Sequence, residues 1–92
     1  MTDAETAVRC IVSGRVQGVF YRARTAERAR EINVHGWARN LSDGTVEVVM
    51  SGAQASVSAL CAWLWEGPPA ARVTSVRVEE WSGNPGDGFS VR

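Results

Sequence analysis

Ninety-two residues make one domain, too short for two independent cores, so any site must lie on the rim of a single core. With 45% hydrophobic and 22% charged residues the composition is that of an ordinary globular domain, and ten basic residues balanced by ten acidic ones give no overall field for drawing in nucleic acid or an anionic membrane. All ten basic residues are Arg, whose planar guanidinium suits two-point contacts to phosphate or carboxylate, although a compositional bias against Lys would leave the same mark.

The opening MTDAETA has neither the basic start nor the apolar stretch of a secretory signal. No apolar run nears the ~20 residues needed to span a bilayer. The expectation is a cytoplasmic protein whose residues 1–7 are a flexible lead and whose residues 8–92 are the domain.

From Val8 to Gly14 apolar and β-branched residues alternate, Val8, Cys10 and Val12 against Arg9, Ile11 and Ser13, which predicts a first strand ended by Gly14. Strong helix formers run from Tyr21 or Arg22 to about Asn33, with Ala23, Ala26, Ala29 and Ile32 at helical spacing, and predict a first helix. Gly36–Asn40 and Val46–Ser51 flank Leu41-Ser42-Asp43-Gly44, and an Asp-Gly step between two extended runs predicts a hairpin. Val57, Leu60, Cys61 and Leu64 fall at i, i+3, i+4 and i+7, the stripe of a second helix that Gly67-Pro68-Pro69 stops. Val73–Trp81 predicts a fourth strand with Thr74, Val76 and Val78 on one face. After a turn-rich connection over 82–87, Gly88–Arg92 is extended enough for a last short one.

The order β-α-β-β-α-β predicts an α+β, ferredoxin-like sandwich: an antiparallel sheet with two helices on one face and the other face solvated. That order carries no function by itself. Cys10 and Cys61 each fall at an apolar position of a predicted element, which favours buried structural thiols and a reducing compartment, with a disulfide between them left open.

Two stretches stand out chemically. In GRVQGVFYR, Gly14 to Arg22, two glycines four apart sit between a strand and a helix start, so the backbone can curl its N–H groups inward as an anion nest, beside the positive end of the helix and Arg22. It is no Walker A loop, since Gly18 is followed by Val19 rather than by Lys and a hydroxyl residue. A tight strand-to-helix connection needs no more than this. In GWARNLSDGTVEV, Gly36 to Val48, Asn40 ends a strand beside a tight turn, where its amide can hold a water or a substrate oxygen, or simply cap the turn.

Together the stretches are far more specific. Val12-Ser13-Gly14-Arg15-Val16-Gln17-Gly18-Val19-Phe20-Tyr21-Arg22, with its Gly-x-Val-Gln-Gly-Val run leading through aromatics to Arg, and Gly36-Trp37-Ala38-Arg39-Asn40 with Gly44, Val46 and Gly52, resemble the two signatures of the acylphosphatase family. Gly67-Pro68 and Ala71-Arg72-Val73 resemble the family's exit from its second helix, so the likeness runs from about Val8 to the last residue. Tyr21 stands where Phe is commoner, and Arg92 ends the sequence without the aromatic residue that often follows in relatives.

The resemblance implies a metal-independent hydrolase, without cofactor, that splits carboxyl-phosphate mixed anhydrides. It assigns Arg22 to the phosphoryl group, Asn40 to the attacking water, and the backbone of Arg15, Val16, Gln17, Gly18, Val19 and Phe20 to a phosphate-binding loop, with Gln17 shaping that loop. The partners expected are a small acyl phosphate and inorganic phosphate as product or inhibitor, with no nucleic acid or membrane, and the chain a monomer. The chemistry is consistent with so few groups: a departing carboxylate, of conjugate-acid pKa roughly 4.3, needs no general acid. Phosphoryl transfer then asks mainly for positioning and charge.

Rival readings carry less. His35 is the only histidine and has no metal-spaced partners, Asp43 serves the turn, and Trp63 and Trp65 suit packing beside the second helix. An RNA platform on this fold wants aromatics on its central strands, where the third strand offers Val46, Val48 and Met50 against Glu47, Val49 and Ser51. A regulatory or carbamoyl-phosphate-handling module on the same fold is the remaining alternative.

Overall fold

The apolar runs of the sequence fold into seven elements in the computed structural model, which describes residues 5–92. They are β1 (Glu5–Arg15), α1 (Tyr21–Glu31), β2 (His35–Asn40), β3 (Val46–Ala53), α2 (Gln54–Glu66), β4 (Arg72–Glu80) and β5 (Phe89–Val91). The sheet order is β4-β1-β3-β2-β5. β1 runs antiparallel to β3 and β4, and β2 antiparallel to β3. The antiparallel expectation fails only at the margin, where β5 lies parallel to β2 and makes the sheet mixed.

One face of each strand meets the helices. Cys10 and Val12 of β1, Ala38 of β2, and Val46, Val48 and Met50 of β3 are fully buried with Ala29 of α1 and Leu60 and Leu64 of α2. Each Val or Leu buried in this way contributes about 1.5–3 kcal/mol relative to exposure. Cys10 and Cys61 are free thiols whose sulfurs lie 3.9 Å apart between β1 and α2. The hydrogen bond with Cys61 and then burial push the Cys10 thiol up, while the same bond lowers that of Cys61.

Several residues depart from the simple periodic reading. β1 starts at Glu5, so residues 5–7 of the expected flexible lead belong to a strand, paired with β3; residues 1–4 lie outside the described residues. The buried stripe of α1 is Tyr21, Thr25, Ala26 and Ala29, and Ala23 is exposed. Thr25 is accommodated because its hydroxyl donates to Tyr21 O at 2.7 Å. In β4 a register shift sets Gly14 opposite Val73 while Ser13 faces Ser75. Thr74 is thus the extra residue of a bulge, which leaves it exposed and turns Val73 toward the core in its place.

The far face of the sheet is covered rather than bare. Val49 and Glu47 of β3 and Trp37 of β2 are buried there, beneath long Arg side chains. The Glu47 carboxylate accepts from Arg9 and Arg39, and Arg9 donates on to Glu79 at 2.6 Å. The guanidiniums of Arg92 and Arg39 lie 4.5 and 5.2 Å from the Trp37 ring centroid. Alternation along β3 correctly sorted its two faces, but arginine stems cover apolar surface that a polar-face reading leaves wet.

Candidate active site

The loop between β1 and α1 begins where no side chain fits. A Cβ on Gly14 would stand 2.0 Å from Arg72 O, at the bulge. Arg15 is still strand, paired with Arg72. Val16 and Val19 are buried in the core and pin the loop at two points, and Gly18 projects between them with φ +74° and open space around it. Phe20 follows at φ 64°. Left-handed residues at 18 and 20 give the loop a tight turn conformation of the kind that can direct backbone N–H groups to one side.

α1 starts without a side-chain cap and with no acidic residue in its first turn. Its first intrahelical bond is Arg24 N to Phe20 O at 3.0 Å, which leaves the N–H groups of Tyr21, Arg22 and Ala23 without helical acceptors. Tyr21, buried at the helix start, donates its hydroxyl to Leu64 O of α2 at 2.6 Å and sets its ring 6.0 Å from that of Trp63. Burial pushes the phenol well above its ordinary pKa, so it stays a donor. Tyr in place of Phe therefore has a structural consequence: the hydroxyl ties the residue before Arg22 to the neighbouring helix. Arg22 itself donates from Nη1 to the main-chain oxygen of Arg92, and Arg30 donates to Phe89 O at 2.8 Å, so α1 holds β5 at its first residue and the chain again just beyond its last.

Asn40 is the last residue of β2, paired with Val46, two residues beyond buried Ala38 and on the same face, which carries it toward the start of α1. The turn beside it is closed by other groups. Asp43 Oδ1 accepts from the Thr45 N–H at 3.0 Å and hydroxyl at 2.6 Å, and Leu41 N donates to Thr45 O at 2.9 Å. The Thr45 hydroxyl, then its N–H, hold the Asp43 carboxyl below the usual aspartate range. None of these bonds uses the Asn40 amide.

Gln17 joins the two stretches. Its side-chain nitrogen donates to Leu41 O and to Thr45 O, each at 2.9 Å, so the loop is bolted across the mouth of the turn. A cavity of about 270 Å³ opens between them, walled by Arg22, Asn40, Gly18 and Phe20 among others. Arg15, Gln17 and Val19 are not on its wall. His35 lies away from it, accepting from Gly88 N at 2.7 Å. Among the described residues no group of three or more His, Cys, Asp or Glu is placed to hold a metal ion, and no helix is long and apolar enough to cross a membrane.

A sequence model of the Acylphosphatase family matches residues 8–91. The chain belongs to the acylphosphatase family. It is 51% identical over 89 residues to the acylphosphatase of Haloarcula marismortui, covering 97% of this chain and 98% of that one. To the acylphosphatase of Nitrosococcus oceani it is 53% identical over 74 residues, 80% of this chain and 83% of the relative. Among solved structures, an acylphosphatase from Coxiella burnetii superposes with a TM-score of 0.91 at 45% identity, covering 96% of this chain and 93% of that one. These relatives are hydrolases, and the family's fold is the one described above.

Within that family frame, the residues that the sequence did not mark are Tyr21 for its hydroxyl and the β5 end for its contact with Arg22. Neither leaves a local pattern, because each contact joins residues far apart in the chain.

Proposed function

We propose that the chain hydrolyses carboxyl-phosphate mixed anhydrides to a carboxylate and inorganic phosphate, with no metal or cofactor. The phosphoryl group lies against Arg22 and the N–H groups of the loop from Arg15 to Phe20 and of the first turn of α1, where charge and donors are fixed before the substrate arrives. The Asn40 amide holds the attacking water in line, and the carboxylate leaves without a proton. A phosphoryl oxygen takes the proton of the water. Gln17 acts by position, setting the loop at its distance from Asn40.

The observation that carries the reading is the shared cavity: Arg22 from the start of α1 and Asn40 from the end of β2 wall the same 270 Å³ space. We further take the protein as a cytoplasmic monomer acting on a small molecule, with no nucleic-acid partner, in keeping with its balanced charge. The test is an assay of purified protein with benzoyl phosphate and acetyl phosphate, with and without EDTA. Turnover of acyl phosphates that survives EDTA is expected. Absence of turnover overturns the reading, and loss on chelation restored by one particular metal overturns its metal-free mechanism.

A further inference from the structure

Phe20 occupies an expensive position in two independent ways. Its side chain is 80% exposed, and its backbone sits at φ 64°, a region that a bulky residue rarely adopts. The entry into α1 accounts for the backbone, since Phe20 is the left-handed residue immediately before the helix. It does not account for the ring, because Gly or Asn would take the same φ more easily and expose nothing apolar.

What the ring borders is the cavity with Arg22 and Asn40. Val91, at the end of β5, is 44% exposed and borders it as well. Among the described residues the other two large apolar side chains that stand exposed, Trp65 and Val78, are on the outside of α2 and on the edge strand β4. The cavity thus has two kinds of wall. One is polar and cationic, and it suits a phosphoryl group. The other is an apolar rim, and exposed apolar surface at a cleft is where ligand carbon is buried.

We propose that Phe20, with Val91 on the wall of the same cavity, is the acyl-side specificity determinant, favouring acyl phosphates whose acyl group is aromatic or extended and apolar over acetyl phosphate. The inference rests on the function proposed above. An aromatic acyl group in line with the phosphoryl lies against the Phe20 ring, in an offset or edge contact, while an acetyl group is too short to use it.

The test compares kcat/KM for benzoyl phosphate and for acetyl phosphate in the parent, in Phe20→Ser and in Phe20→Leu. The ratio of the two values cancels any change the substitution makes to the loop itself. The ratio is expected to fall about tenfold in Phe20→Ser, the low end of what an apolar contact adds to discrimination, with Phe20→Leu between the two. A ratio unchanged in Phe20→Ser while both substrates are still hydrolysed overturns this assignment and leaves the proposed function standing. A folded parent that hydrolyses neither substrate overturns both. Because the ring is exposed, the variants are expected to fold, and thermal melts taken in parallel check that they do.

Discussion

The two connections that meet at the cavity are built on opposite plans. The turn from Leu41 to Thr45 spends its polar groups on itself: Asp43 accepts twice from Thr45, and Leu41 and Thr45 bond across its base. The loop from Gly14 to Phe20 is pinned instead by the apolar side chains of Val16 and Val19 and gives its polar side chain, Gln17, to the turn. A connection held by its side chains leaves backbone donors available for a ligand. One held by its own polar groups gives a rigid mount for a single amide, Asn40. The difference separates a part that binds from a part that positions, and it is open to mutation one residue at a time.

The largest effect is expected at the binding part. Arg22→Lys replaces a planar, two-point donor by a single ammonium and should lower kcat/KM by roughly 100- to 1000-fold, the loss of ~3–4 kcal/mol of charge stabilisation. A variant within about threefold of the parent would show that Arg22 is a surface charge at a helix start. On the positioning part, Asn40→Ala should lower kcat by about 100-fold at a nearly constant KM, because the water loses its near-attack placement while the phosphoryl grip is intact. Inhibition by inorganic phosphate should change little. If the variant unfolded while its folded fraction kept full specific activity, Asn40 would be a turn cap and nothing more.

How much of this was legible beforehand follows the same division between local and distant. The two signatures are contiguous, so Arg22, Asn40 and the loop could be picked out from neighbours in sequence, and β3 and α2 were legible because alternation and helical spacing are local patterns. Gln17 could be marked only as shaping its loop, since its acceptors lie 24 and 28 residues away. The acceptor for the Tyr21 hydroxyl is 43 residues away, and the side chain alone does not say which carbonyl needs it. Thr74 and Val73 exchange faces at a bulge that depends on Gly14 in another strand. The direction of β5 is set by the long return over 82–88, which carries turn residues but no periodicity.

The bolt between the two connections comes next in size. Gln17→Leu keeps the volume and removes both donors, while Leu41 O and Thr45 O retain bonds from Gly44 N and Leu41 N. The expected cost is about 1–2 kcal/mol of stability, read by urea denaturation, since only secondary bonds are lost. Activity should fall about tenfold, mainly in kcat, as the loop drifts by a fraction of an ångström from Asn40. A fall confined to KM would place Gln17 with the phosphate instead.

The smallest effect is expected inside the closed turn, and it appears as pH dependence. The Asp43 carboxyl is held below its ordinary pKa by the Thr45 hydroxyl and then by the Thr45 N–H, both of which favour the ionised form. A pKa lower in the folded than in the unfolded chain means that the unfolded state binds the proton more readily. The contribution to stability is therefore fully present above the unfolded value, about 3.9, and is lost as pH falls through the lower folded value. Asp43→Asn keeps an oxygen that accepts from Thr45 but has no charge to titrate. Its melting temperature near neutrality should fall slightly, and its stability should decline less steeply than the parent's in the acid range below about pH 4. Hydrolysis measured at neutral pH should hold, because Leu41 and Thr45 still close the turn and Asn40 is held by its pairing with Val46. If instead the variant lost activity as severely as Asn40→Ala while its stability and acid response matched the parent's, the turn would be part of the chemistry, and the division between a binding loop and a positioning turn would fail.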